Sequence, residues 1–311
     1  FQLQEIPGWR AWLLTQSGLG FDAFNAWACF VHGLLYFLPV FLAALVTGAL
    51  WESFFAVRRR KPVDEGLLAI AWFFALMLPA TIPFMQVVLG MSFGIVMGKM
   101  IYGGSGRYLV NPALLGLVFL MFSYPNLLYS EGAWVPVAGY DQPTVLELVT
   151  DEGGLPVVAA VDYSYWQLFF GDRPGTVGAV STIGALLGAV FLVLSGMASW
   201  RVMLGSVAGL VVVAMASNSL SGAEGILAVP WYWHFVLGGF VFGTVFIATD
   251  PVTSPLTPKG KFIFGLGTGM LIMLLRFFSG YPEGVMFSVL LMNALTPLIN
   301  RWTIPQPFGE V

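Results

Sequence analysis

The chain has 311 residues, 58% hydrophobic and only 9% charged, with a formal net charge of -3 and one cysteine, Cys29. A soluble domain carries about 25% charged residues, so most of this chain's outer surface must meet lipid. The acidic balance excludes a nucleic-acid partner, and a lone thiol excludes an internal disulfide, a structural zinc or an iron–sulfur cluster.

The first residues, FQLQEIPGWRAW, lack the basic start and apolar core of a signal peptide, and the missing initial Met is what a fragment would show. A membrane helix needs roughly 20 apolar residues, fewer where it is broken or buried in protein. Nine stretches are predicted to span: 33–56, 67–83, 85–101, 109–124, 176–197, 202–218, 230–248, 262–278 and 284–299. Pro79 and Pro83 bracket the end of the second, and Asn111-Pro112 breaks the start of the fourth. The expected class is an all-α polytopic membrane protein.

Lys and Arg set the orientation. The run RRRK at 58–61 places the first connection in the cytoplasm, and alternation then puts ten of the thirteen basic residues inside. Glu131, Asp141, Glu147, Asp151, Glu152, Asp162 and Asp172 gather in the outer loop 125–175. Residues 1–31 come out on the outer side, which predicts a further span upstream. Ten spans would form an inverted five-plus-five repeat with broken helices at the repeat interface. The expected divisions are 1–124 as the first half without its first span, 125–175 as the outer loop region, and 176–311 as the second half. The predicted breaks are GGSGRYLVNP at 103–112 and ATDPVTSPLTP at 248–258.

Charges in lipid are costly and often functional. Glu52, in TGALWESFF, is either an interfacial acid snorkelling beside RRRK or an ion or quinone contact. Asp250 is either a cap for the segment after it or a functional charge. Arg276, in LLRFF near the outer face, is read as snorkelling. Trp231 and Trp233 read as an aromatic belt, and His234, between the aromatics Trp233 and Phe235, as hydrogen-bonded rather than metal-bound. GGSGR is no P-loop, since no strand precedes it and no GK[ST] comes after it. Its glycines nonetheless expose backbone N–H groups, and Arg107, Tyr108 and Asn111 add donors and a ring, which suits a planar heterocycle rich in acceptors. In RPGTVGAVSTIGALLGAV, 173–190, Thr176, Ser181 and Thr182 sit at the mouth of an apolar run. They either cap and pack a helix or carry something.

Several ordered segments resemble one family: LWESFF at 50–55, EGLL at 65–68, GGSGRYLVNPAL at 103–114, ASWR at 198–201, VPWYWHFVLGGFVFGTVFIATDPV at 229–252 and YPEG at 281–284. The chain resembles the family that holds the B subunit of the sodium-translocating NADH:quinone oxidoreductase (Nqr) and the D subunit of the Rnf complex. PWYWH and ATDPV look closer to the Nqr branch. The resemblance implies a translocase component of the bacterial inner membrane that passes electrons through flavins to ubiquinone and couples this to sodium. It implies FMN esterified through its phosphate to Thr182, with Gly178, Ala179 and Ser181 leaving room and the helix N-terminus favouring the charge. The family often has Glu where this chain has Ala179. It implies non-covalent riboflavin near Arg107, Tyr108 and Asn111, a quinone region around Gly48 and Trp51, and sodium uptake through Glu52 and Asp250. A third family acid aligns with Asn300. Implied partners are an NADH-oxidising flavoprotein and iron–sulfur subunit, a second FMN-carrying subunit, two small membrane subunits and a peripheral subunit. Two other readings remain: the D-type subunit of an Rnf ferredoxin:NAD oxidoreductase, and a redox-free channel or transporter on the same scaffold.

Overall fold

The computed structural model describes the chain apart from residues 1–3, 6–7, 17, 19–24, 64, 129–133, 136, 139–142, 152, 220–224, 280–282 and 306–311. Glu131, Asp141, Glu152, Tyr281 and Pro282 lie outside the described residues.

The described chain is helical, save for a two-residue antiparallel ladder of Gln4–Glu5 with Val137–Ala138. Helices of ten or more residues are α1 (Ala26–Arg59), α2 (Leu67–Met77), α3 (Phe84–Ile95), α4 (Pro112–Ser123), α5 (Thr182–Leu194), α6 (Trp200–Asn218), α7 (Pro258–Phe278) and α8 (Val285–Thr303). Eight of the nine predicted spans coincide with these. Of them, α1, α6 and α7 are each long and apolar enough to cross a membrane. The ninth, 230–248, is corrected in form: it is no continuous helix. Short helices Trp233–Val236 and Phe240–Phe242 flank Gly238, whose φ is +63°, and a π turn Gly243–Ile247 comes next. A second π turn, Val96–Met100, extends α3.

Local chemistry sets the ends. Asn25 caps α1 by accepting from the Trp27 and Ala28 N–H groups, and the helix stops where Arg60 turns left-handed, φ +54°. Thr257 accepts from the Gly260 N–H with Pro258 as first helical residue, a start with no N–H to waste. Leu38, Leu42, Val46, Leu50 and Phe54 are exposed at a spacing of four along α1. That apolar stripe belongs against lipid, while Ala44, Gly48 and Glu52 turn inward.

The chain divides into two compact units. The first holds residues 1–105, 115–143 and 174–178. In it α1 packs on α2 and α3. A Cβ on Gly48 would stand 2.4 Å from Leu67 Cδ1, and one on Gly116 would stand 2.5 Å from the Gly90 carbonyl oxygen. The second unit holds 106–114, 144–173 and 179–311. Its spine is the pair α6 and α7, meeting through GSVAG at 205–209 and GLGTG at 265–269. A Cβ on Gly209 would come within 2.2 Å of the Leu266 oxygen, and one on Gly269 within 2.0 Å of the Ser206 oxygen. Lipid offers no hydrophobic drive between helices, so close backbone approach through small residues supplies the contact. Short helices Val145–Asp151, Leu155–Ala160 and Tyr165–Phe170 of this unit bury Val149, Val158 and Leu168 against Val229, Val236 and Leu237.

Candidate functional site

In the first unit, Glu52 on α1 faces Lys99 in the π turn that extends α3. The Lys99 Nζ donates to Glu52 Oε1 at 2.6 Å, and both side chains are buried, 0% and 1% exposed. The snorkelling option for Glu52 is therefore corrected: a partner ammonium on a neighbouring helix draws the carboxylate inward, away from solvent. Lys99 also donates to the Glu65 carbonyl at 3.1 Å. Trp51, one residue before Glu52, is fixed by its indole N–H donating to Ser92 Oγ at 2.9 Å.

In the second unit the two predicted breaks meet. Asn111 Nδ2 donates to Asp250 Oδ2 at 3.1 Å. The other end of the amide caps α4, Oδ1 accepting from the Ala113 and Leu114 N–H groups. Its carbonyl is thus committed to the helix, leaving one N–H to spare. Asp250 accepts in addition from the Val252 N–H and from Thr253 Oγ1. It organises a turn rather than capping a helix, since Thr257 caps α7. Tyr108 is half-buried and Arg107 exposed, so ring and guanidinium stay available to a ligand. Asn300 Oδ1 accepts from the Leu256 N–H at 3.0 Å, which pins the end of the 248–258 break to α8.

The hydroxyl segment lies at the start of α5. Ser181 is the N-cap, its Oγ accepting from the Gly184 N–H at 3.2 Å, as the capping option required. Thr182 comes next as first helical residue and is buried, 3% exposed. The half-buried Arg173 braces this segment. It donates to the carbonyls of Val180 (2.9 Å), Ala179 (2.7 Å), Gly238 (3.1 Å) and Val236. Desolvation lowers the Arg173 pKa to about 10, with Glu283 opposing and Arg276 adding to the shift, so the group stays cationic at neutral pH. Glu283 takes the Gly239 N–H with both oxygens, each at 3.1 Å.

Arg276 is corrected as well. It does not snorkel but is fully buried and donates to the His234 carbonyl at 3.1 Å and the Leu237 carbonyl at 2.7 Å. The reason is the break beneath it. A chain that leaves helix inside a membrane strands its carbonyls, and each needs a donor. Arg173 and Arg276 together supply donors to residues 234, 236, 237 and 238. His234 is buried with Nδ1 3.4 Å from Arg276 Nη1.

Sequence reasoning missed Lys99, Arg173 and Glu283 as site residues. Lys99 left a readable signal, one ammonium inside the apolar run SFGIVMGKMIY. Arg173 and Glu283 left none, because their partners are backbone groups, and a carbonyl or N–H carries no residue-type signal, whether close in the chain (Ala179, Val180) or distant (Val236, Gly238, Gly239). Among the described residues, no group of three or more His, Cys, Asp or Glu side chains gathers to hold a metal. Gly178, in the first unit, donates its N–H to the Leu76 carbonyl at 3.0 Å.

Apolar helices, some broken or π-containing with buried polar junctions, are those of a polytopic helical membrane protein. Residues 9–309 match the family described as NQR2, RnfD, RnfE, and the chain belongs to it. Among similar proteins, one from Chromohalobacter salexigens is 42% identical over 96% of this chain and 73% of its own length. One from Azotobacter vinelandii is 40% identical over 96% and 74%, and one from Pseudomonas aeruginosa 40% over 97% and 75%. Each is named as the B subunit of the Na(+)-translocating NADH-quinone reductase.

Proposed function

We propose that this chain is the B-type membrane subunit of a bacterial inner-membrane, sodium-translocating NADH:quinone reductase. The supporting observation is identity near 40%, over almost the whole chain, to proteins carrying that name. As one component of an enzyme complex it works with membrane and peripheral partners, and one of these must oxidise NADH. The names of these relatives favour the Nqr over the Rnf branch.

In this reading Thr182 carries FMN through a phosphoester. The position suits an anion: the hydroxyl stands at a helix N-terminus, where N–H dipoles stabilise negative charge, and Arg173 fixes the backbone just ahead of it; attachment requires the 3% exposed side chain to open outward. Riboflavin is held at the 103–112 break. There Asn111 does not face the ring with its carbonyl but locks the break to Asp250, while Tyr108 and Arg107 supply ring and donor. When bound, the flavins supply the electron-carrying rings. The chain's own residues set their depth and exclude water. Gly48 and Trp51 border the quinone region on α1, Gly48 because only a hydrogen lets Leu67 and Met91 approach. Glu52 and Asp250 offer hard oxygen ligands for sodium. The two halves of an inverted repeat would carry one such acid each.

The test is in-gel flavin fluorescence of this chain after denaturation, with its intact mass, in the purified complex. A fluorescent chain heavier than its sequence by one flavin phosphate supports the reading. A dark chain of bare mass, in a complex that reduces quinone, defeats it.

A further inference from the structure

Buried ion pairs are weak devices for stability, because desolvation offsets much of the attraction. The pair Lys99–Glu52 therefore calls for another account. Glu52 borders an open cleft, together with Phe55, Arg59, Lys61, Met100 and Gly103. Arg59 reaches across to the Met100 carbonyl, Nη2 to oxygen 2.7 Å. The charges lining the cleft are one carboxylate against Arg59 and Lys61, and the buried Lys99 holds that carboxylate from behind. With Lys99 in place there is no spare negative charge, and a metal cation entering the cleft meets net repulsion. Glu52 becomes a cation ligand only when the ammonium leaves it.

The geometry provides for that departure. Lys99 already holds a second acceptor, the Glu65 carbonyl at 3.1 Å. Ser105 Oγ donates to the same oxygen, so the acceptor is held from two sides. Lys99 stands in the π turn Val96–Met100, an irregular turn of a kind found often at functional sites. We infer that Lys99 is a tethered cation: it occupies Glu52 until a sodium ion from the cleft displaces it, and then rests on the Glu65 carbonyl. The exchange swaps one positive charge for another, with no proton transferred. It rests on the reading of Glu52 as part of a sodium path, and adds to that reading the group that closes the path.

Two measurements on the assembled complex decide it. In the parent protein, Lys99 labelling by an amidinating reagent is followed by mass spectrometry in sodium and in potassium, with exposed Lys259, outside the cleft, as internal control. Lys99 labelling is expected to rise severalfold in sodium only; equal labelling in the two salts overturns the tether, and needs no variant that might misfold. Quinone reductase rates are then titrated with sodium. Lys99→Met, which keeps length and removes charge, is expected to lower the half-saturating sodium concentration by roughly tenfold, as loss of a buried charge partner implies. Lys99→Arg keeps the pair and is expected to stay near the parent. An unchanged or higher half-saturation in Lys99→Met overturns the inference. Glu52→Gln separates the two claims: if it alters the sodium dependence while Lys99→Met does not, only the tether fails. If Glu52→Gln is silent, the sodium reading of Glu52 fails and the tether with it.

Discussion

Thr182 is enclosed at the first turn of α5, and its fate separates a carrier hydroxyl from a packing one. Thr182→Ala removes the oxygen and one methyl from a buried site, a loss of about 1 kcal/mol by the usual run of single substitutions. The complex is expected to assemble, and the chain's fluorescence after denaturation to vanish. Persistent fluorescence would move the ester to Ser181 or Thr176. Asn111 offers a second residue-scale test, because its two ends have separate tasks. Asn111→Ala takes away the α4 cap, at about 1 kcal/mol, and one of Asp250's donors. Non-covalent riboflavin released from the purified complex is expected to fall, while covalent flavin stays constant. Equal release from variant and parent would mean that the break holds no riboflavin.

Where α6 crosses α7, the interface is made of backbone, so its tolerance is set by what a new methyl would strike. A Cβ at Gly269 meets the Ser206 carbonyl oxygen at 2.0 Å, which cannot move without its helix. A Cβ at Gly267, two residues away, meets the thioether end of Met292 at 2.6 Å, a flexible group. Gly269→Ala should cost several kcal/mol and lower the thermal midpoint of the complex in detergent, while Gly267→Ala costs under about 1.5 kcal/mol. Similar midpoints for the two would show that the helices do not cross there. Helix positions were legible from hydropathy because eight stretches are simply apolar over a helix's length. The seventh stretch, 230–248, was read as one span since its composition matches its neighbours. The local signal was the pair Gly238-Gly239, which marks a turn; what the sequence hid is that the carbonyls there are satisfied by arginines from 173 and 276. Those hidden partners also concealed the burial of Arg276. A lone arginine near a helix end reads as snorkelling until the stranded carbonyls beside it are known.

At the scale of the molecule, the candidate site was legible as residue types and illegible as partnerships. Glu52, Asn111 and Asp250 each stood out as polar groups in apolar company, but their partners lie 47 and 139 residues away along the chain. Those partnerships govern the expected ion dependence. Glu52→Gln and Asp250→Asn are each expected to weaken sodium stimulation of quinone reduction at least severalfold. Asn300→Ala removes only the acceptor for the Leu256 N–H. It should lower stability by about 1 kcal/mol and leave the half-saturating sodium concentration alone. A purely structural Asp250 predicts the reverse, since an amide can keep its acceptor bonds to Val252 and Thr253. Sodium titrations of the three variants in one complex tell these apart. The length of α1 also says where in the electric field a cation would wait. Its 34 residues rise about 51 Å against roughly 30 Å of hydrocarbon. The exposed, stacked pair Trp27 and Phe30 marks the outer boundary. From Phe30, a helix tilted by about 20° crosses the hydrocarbon in roughly 21 residues, which sets the inner boundary beside Glu52. A sodium ion held there has crossed almost none of the membrane potential, worth about 2.3 kcal/mol per charge for each 100 mV over the full thickness. If Glu52 takes sodium as proposed, loading from the cytoplasm would be nearly indifferent to voltage, and the electrical work of pumping would fall on the steps after Glu52 lets go.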